Sequence, residues 1–235
     1  MGFLMTVPFS AKYVIAVIVL CGVLLVTGCA NTVTKKDTLG RSFGLTITFK
    51  SSPNFNNYNY YLVYADKRFI VDSQVASTYF FIPGAPYNVT AVNNISGNRG
   101  IDYMYNNYFY SWGGIITLKE QDVSITRGPF PKTASDDTHY GYAPQLLSLN
   151  TYSVSSTTLS FMIPIDELNL TSSELFFMLI TTTTSNGLGN TQDRMSSIQS
   201  IELIANSPKQ TGNNNASLLN PAAAADIESW TFWVQ

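Results

Sequence analysis

The side chains that could do acid–base or nucleophilic chemistry are few. His139 is the single histidine in 235 residues, so a Ser–His–Asp site would have to use it, with Asp136 and Asp137 as sequence neighbours. The stretch from Gly128 to Tyr142 carries two prolines and reads as a long surface loop, where a histidine is solvated. Glycosidase chemistry needs only two carboxylates at a set separation. Asp102, Asp122, Asp166, Glu167 and Asp193 are available for it, but they sit mostly beside turn residues. No glycine-rich phosphate loop and no zinc-ligand spacing occurs. Asp136, Asp137, Asp166 and Asp193 could offer oxygen ligands to a structural calcium, yet no run has the spaced Asp/Asn form of a calcium loop. The expectation is a non-enzyme without a cofactor.

Aromatic residues are the more informative candidates. Tyr, Phe and Trp crowd the stretch from Tyr58 to Trp112. Tyr103, Tyr105, Tyr108, Tyr110 and Trp112 form the candidate ligand-binding set. Read as a strand, Tyr103 to Tyr110 puts Tyr103 and Tyr105 on one face, where exposure is expected. Trp112, beside Gly113 and Gly114, is expected in the core. Exposed Tyr and Trp flanked by Asn make amphipathic platforms for sugars or for another protein. The competing explanation is β-propensity, since aromatic residues favour strands and cross-strand pairs.

The two cysteines, Cys21 and Cys29, both lie near the N-terminus. Val14 to Val26 (VIAVIVLCGVLLV) holds no charge and is followed at once by Thr27-Gly28-Cys29. A short apolar run ending in small residues has the form of an export signal, and it is short for a spanning helix. Val26-Thr27-Gly28-Cys29 resembles the bacterial lipobox. That resemblance implies cleavage before Cys29, acylation of its sulfur, membrane lipid as a partner and residence in the bacterial cell envelope. The division that follows is a signal peptide at 1–28, a lipidated cysteine and tether at 29–41, and a domain at 42–235. Residues beyond Cys29 contain no cysteine, so the domain has no disulfide and its stability must come from its core.

The elements that must position any site read as strands. Charged residues make up 12% of the chain, about half the usual ~25%. With a formal net charge of −2, the chain shows no basic footprint for nucleic acid. Gly44 to Phe49 alternates Leu, Ile and Phe against Thr, the pattern of a half-buried strand. Strands are also expected at Tyr58–Tyr64, Arg68–Val71, Thr78–Ile82, Tyr87–Val92, Ile115–Leu118, Val123–Thr126, Thr157–Ile163, Ile198–Ala205 and Ile227–Val234. Leu175 to Thr182 is nearly all apolar, as befits a central strand covered on both faces. Ser185–Asn190 reads as a turn and Pro208–Ser217 as a loop. Asn220-Pro221 and the alanines after it support no more than a turn or two of helix.

This pattern predicts an all-β protein, a β-sandwich of immunoglobulin-like or DOMON-like type behind a cleavable signal helix. Thr158 to Leu168 (TLSFMIPIDEL), the apolar strand after it, Gly189 to Asp193 and the last strand around Trp230 resemble the second half of DOMON-like and family 9 carbohydrate-binding sandwiches. No ligand residue carries over from that resemblance. A sub-boundary near 100–112 stays open. The functional expectation is a non-catalytic binding module, with carbohydrate as candidate ligand. The alternative is a structural or assembly component of a cell-envelope complex, with an envelope protein as partner.

Overall fold

The alternation around Gly44 folds as strand β1 (Ser42–Phe49), which buries Phe43, Leu45, Ile47 and Phe49 and leaves Thr46 and Thr48 half-exposed. The computed structural model describes residues 40–71, 79–83, 101–130, 144–147, 149, 151–184, 188–214 and 221–235. The signal segment, Cys29, the tether as far as residue 39, the strand expected at Tyr87–Val92 and the loop with Asp136, Asp137 and His139 lie outside the described residues.

After β1 come β2 (Tyr58–Ala65), β3 (Tyr79–Phe81), β4 (Gly114–Leu118), β5 (Val123–Arg127), β6 (Gln145–Leu146) and β7 (Thr151–Ser155). They are followed by β8 (Thr158–Pro164), β9 (Glu174–Thr183), β10 (Leu188–Arg194), β11 (Gln199–Glu202), β12 (Gln210–Asn213) and β13 (Ile227–Val234). Helix α1 (Ile101–Asn107) and a 3₁₀ turn (Phe109–Ser111) stand between β3 and β4. One sheet has five strands in the order β12-β13-β1-β8-β7. The other has eight, in the order β3-β10-β9-β2-β4-β5-β6, with β11 also paired to β9. The described strand pairs are antiparallel, so the chain is an all-β, two-sheet sandwich.

The core lies where the inner faces meet. Phe177 of β9 approaches Phe232 of β13 to 3.8 Å and Phe43 of β1 to 6.0 Å between ring centroids. Tyr60 of β2 packs edge-on against Phe49 at 5.1 Å. Such ring pairs add about 0.5–1.5 kcal/mol each beyond the area they bury. Strand β9 is buried on both faces, with Phe177 and Leu179 toward the partner sheet and Met178 and Ile180 away from it. Its continuous apolar run is the sequence record of that position.

Four local expectations need correction. Tyr103 to Tyr110 is not a strand but α1 and the start of the 3₁₀ turn. Arg68 to Val71 is irregular, because the backbone of Ile70 bonds to side chains rather than to a ladder: its N–H reaches Ser111 Oγ (2.9 Å), and its carbonyl accepts from Trp112 Nε1 (2.9 Å). The turn expected at Ser185–Asn190 gives way to β10 from Leu188 onward. The loop expected at Pro208–Ser217 contains β12, an edge strand with no apolar residue.

Candidate functional site

A helical period decides where the candidate aromatics go. Within α1 and the turn after it, Met104, Tyr105, Tyr108 and Phe109 fall at i, i+1, i+4 and i+5, the spacing of one helix face. Tyr105 and Phe109 are both fully buried, their rings edge to face at 5.0 Å. The exposure expected of Tyr105 is therefore wrong, and so is the strand face it was to share with Tyr103, which lies in α1. Trp112 is in the core as expected, 3% exposed and 4.8 Å from the ring of Phe109. Tyr108 is half-buried. Among the members of the set whose side chains are described, Tyr110 is the exposed one, at 37%.

Tyr110 and Trp112 line a cleft of about 240 Å³. Leu168 to Thr171, which follow β8, line it as well, with Gly113 and Arg127 to Pro129. Arg127 ties down the residue just before Leu168: its Nε donates to the Glu167 carbonyl (2.9 Å) and its guanidinium pairs with the Glu167 carboxylate at 2.5 Å, with a further bond to Gln145 Oε1. Asn169 turns the chain there in the left-handed region, φ 48°, a conformation Asn tolerates well.

In the neighbouring β2–β4 pair, the ring of Tyr64 crosses Gly114. A Cβ on Gly114 would lie 2.5 Å from the Tyr64 hydroxyl oxygen, so only glycine fits. Burial pushes the Tyr64 phenol well above its ordinary pKa, and the nearby Arg127 charge offsets part of that rise.

The residues lining the cleft also include Lys67 and Asp66, whose carboxylate accepts a hydrogen bond from Thr171 Oγ1. Ser111 lines it too, but its hydroxyl donates to the Tyr108 carbonyl (2.7 Å) while accepting from Ile70 N–H. Thus the hydroxyl is engaged in structure, and the two nearest carboxylates are engaged by Thr171 and Arg127. The arrangement suits binding of a small polar ligand.

A second polar centre joins the two sheets. Asp193 of β10 is 1% exposed, and its Oδ2 accepts from Asn214 Nδ2 (2.9 Å) and from the N–H of Ile227 (2.8 Å). Asp226, also buried, meets Lys50 Nζ at 2.6 Å. Of the four acids considered for calcium, Asp166 lies in the turn after β8 and Asp193 in this centre. Among the described residues no three His, Cys, Asp or Glu side chains gather to hold a metal ion. Sequence reading missed the centre as a unit, since its members come from separate elements.

No protein-family model, curated protein or solved structure matches this chain significantly.

Proposed function

We propose that this protein is an exported bacterial lipoprotein, anchored through acylated Cys29 and presenting a non-catalytic β-sandwich that binds carbohydrate at the cell envelope. The observation that carries the binding role is the cleft, where the Tyr110 ring stands among an acid, an amine, an amide and a hydroxyl. A sugar presents an apolar ring face together with hydroxyls that both donate and accept, and such a mixed lining satisfies both. Tyr110→Ala should diminish glycan-array signal while leaving the melting temperature near that of the wild type. Undiminished signal in that variant would overturn the role given to the cleft.

The anchor is supported by the lipobox-like Val26 to Cys29 after its apolar run. One acyl chain binds a membrane only marginally, so stable anchoring takes several. The native protein is expected to partition into detergent, and Cys29→Ser to stay uncleaved as an unprocessed precursor. Mass spectrometry of an unmodified mature N-terminus would rule the anchor out.

A further inference from the structure

The outer face of the five-stranded sheet shows an order that only the strand register reveals. Thr211, Thr231, Thr46, Ser160 and Ser153 stand opposite one another, one per strand, from edge to edge. Two residues along, Asn213, Ser229, Thr48, Thr158 and Ser155 form a second such row. Their alternates in the central strands, such as Leu45, Ile47, Phe161 and Phe232, are buried in the core, so both rows face outward. Side chains of the rows are half-buried in mid-sheet and exposed on the edge strands. The Thr46 and Ser160 hydroxyls touch at 2.7 Å, which places them on the same face, and Thr158 Oγ1 is turned to the Ser155 carbonyl.

Neither row contains a charged residue. Glu228 stands at the bulge beyond the second row, and Lys209 lies at the other end. On that side of the first row, Trp233 lies over Gly44: a Cβ there would fall 2.1 Å from the indole, so the glycine makes room for the ring. The Lys209 ammonium is 5.6 Å from that ring's centroid.

We propose that this face binds an uncharged polysaccharide. The inference rests on the carbohydrate reading for ligand class but names a surface separate from the cleft. Strands repeat every ~4.8 Å across the sheet, and the rows lie about 6.8 Å apart along it, so the hydroxyls form a lattice rather than a pocket. A hydroxyl both donates and accepts, and two rows of them match a polymer of hydroxyls in either chain direction. Trp233 borders the first row, its ring lying over Gly44 with the Lys209 ammonium above it. An anionic polymer would find no cation within the rows to offset its own desolvation.

The test is co-sedimentation of the full-length, detergent-solubilised protein with insoluble β-glucan and chitin. The triple variant Thr46→Val, Thr48→Val, Thr231→Val removes three hydroxyls while keeping side-chain shape and β-branching. It should weaken retention about tenfold or more with circular dichroism unchanged. Ser153→Lys, on an exposed edge position, should weaken retention independently, and it reports even if the triple variant fails to fold. Leu146→Ser, at a 74% exposed position in β6 of the other sheet, should keep its retention on these solids. Wild-type protein that pellets with neither polymer overturns the proposal, as does wild-type retention in both the triple variant and Ser153→Lys. Loss in Tyr110→Ala alone would move the ligand to the cleft, sinking the face but keeping the binding role. Inhibition of ice recrystallisation that the triple variant loses, without polysaccharide retention in the wild type, would assign the lattice to ice and overturn the proposal as well.

Discussion

Trp112→Ala is expected to lower the unfolding free energy by about 3–5 kcal/mol, the usual cost of truncating a buried Trp or Phe. Trp112 is 3% exposed, with Phe69 and Phe109 against its ring at 6.4 and 4.8 Å. Truncation opens a cavity among these rings, and the surrounding structure refills it only in part. It also leaves the Ile70 carbonyl without its indole donor. Ile70 is held at its N–H by Ser111 as well, so the irregular segment after β2 loses one of two fastenings to the turn that precedes β4. Tyr110→Ala, two residues away at a position 37% exposed, should stay within about 0.5 kcal/mol of wild type. Urea titration of the two variants reads the contrast directly. A Trp112→Ala loss below that of Tyr110→Ala would show that the tryptophan does not pack as described.

The fold class was legible because its strongest elements carry the period-two pattern where the core needs it. Strand β13 is bounded by the residues that the pattern marks, Ile227 and Val234, and β8 and β9 agree to within one residue. What failed did so for physical reasons. Strand β12, Gln-Thr-Gly-Asn, sits at a sheet edge, and Trp230 lies over its Gly212 where an apolar side chain would otherwise stand, so no hydrophobic alternation is left to read. In Tyr103 to Tyr110 the aromatic content suggested a strand, yet β-propensity describes fit to a pleated surface and yields to packing. The helical signature was present in Met104, Tyr105, Tyr108 and Phe109.

Sites were less legible than strands, because they are made by register and by long-range contacts. The alternation in Gly44 to Phe49 shows that Thr46 and Thr48 share a face. It cannot show that Thr231 and Ser160 stand beside Thr46, and a slip of one residue would turn the hydroxyls into the core. Asp66 and Thr171 meet at the cleft across more than a hundred residues of chain. Asp193 and Asn214 looked like ordinary turn residues until the sheets brought them together.

Asp193 supports the remaining large effect, and its two substitutions should part company. Its Oδ2 is the acceptor for the Ile227 N–H at the start of β13 and for the Asn214 amide just after β12, while Asp193 itself belongs to the other sheet. Asp193→Ala strands the Ile227 N–H and one of the two Asn214 amide hydrogens, the other keeping the Arg194 carbonyl. At about 1–3 kcal/mol for each buried group left unsatisfied, the expected loss is roughly 2–6 kcal/mol. Asp193→Asn keeps an acceptor oxygen and removes the charge, so it should lose far less. Acidity separates the variants further. Burial raises the Asp193 carboxyl above its ordinary pKa; the hydrogen bonds from Ile227, Arg194 and Asn214 oppose that rise, and Asp226 adds to it. A carboxyl with a raised folded-state pKa binds its proton more tightly folded than unfolded. Its contribution to stability is therefore full below the ordinary Asp value near ~3.9 and is lost as pH rises through the folded-state value. Wild type minus Asp193→Asn, measured as unfolding free energy against pH, should fall across that window and level off above it. A difference that instead climbs with pH would mean that the Asp193 carboxylate is stabilised as an anion, and that the sheets are tied by charge rather than by two hydrogen bonds to a reluctant acid.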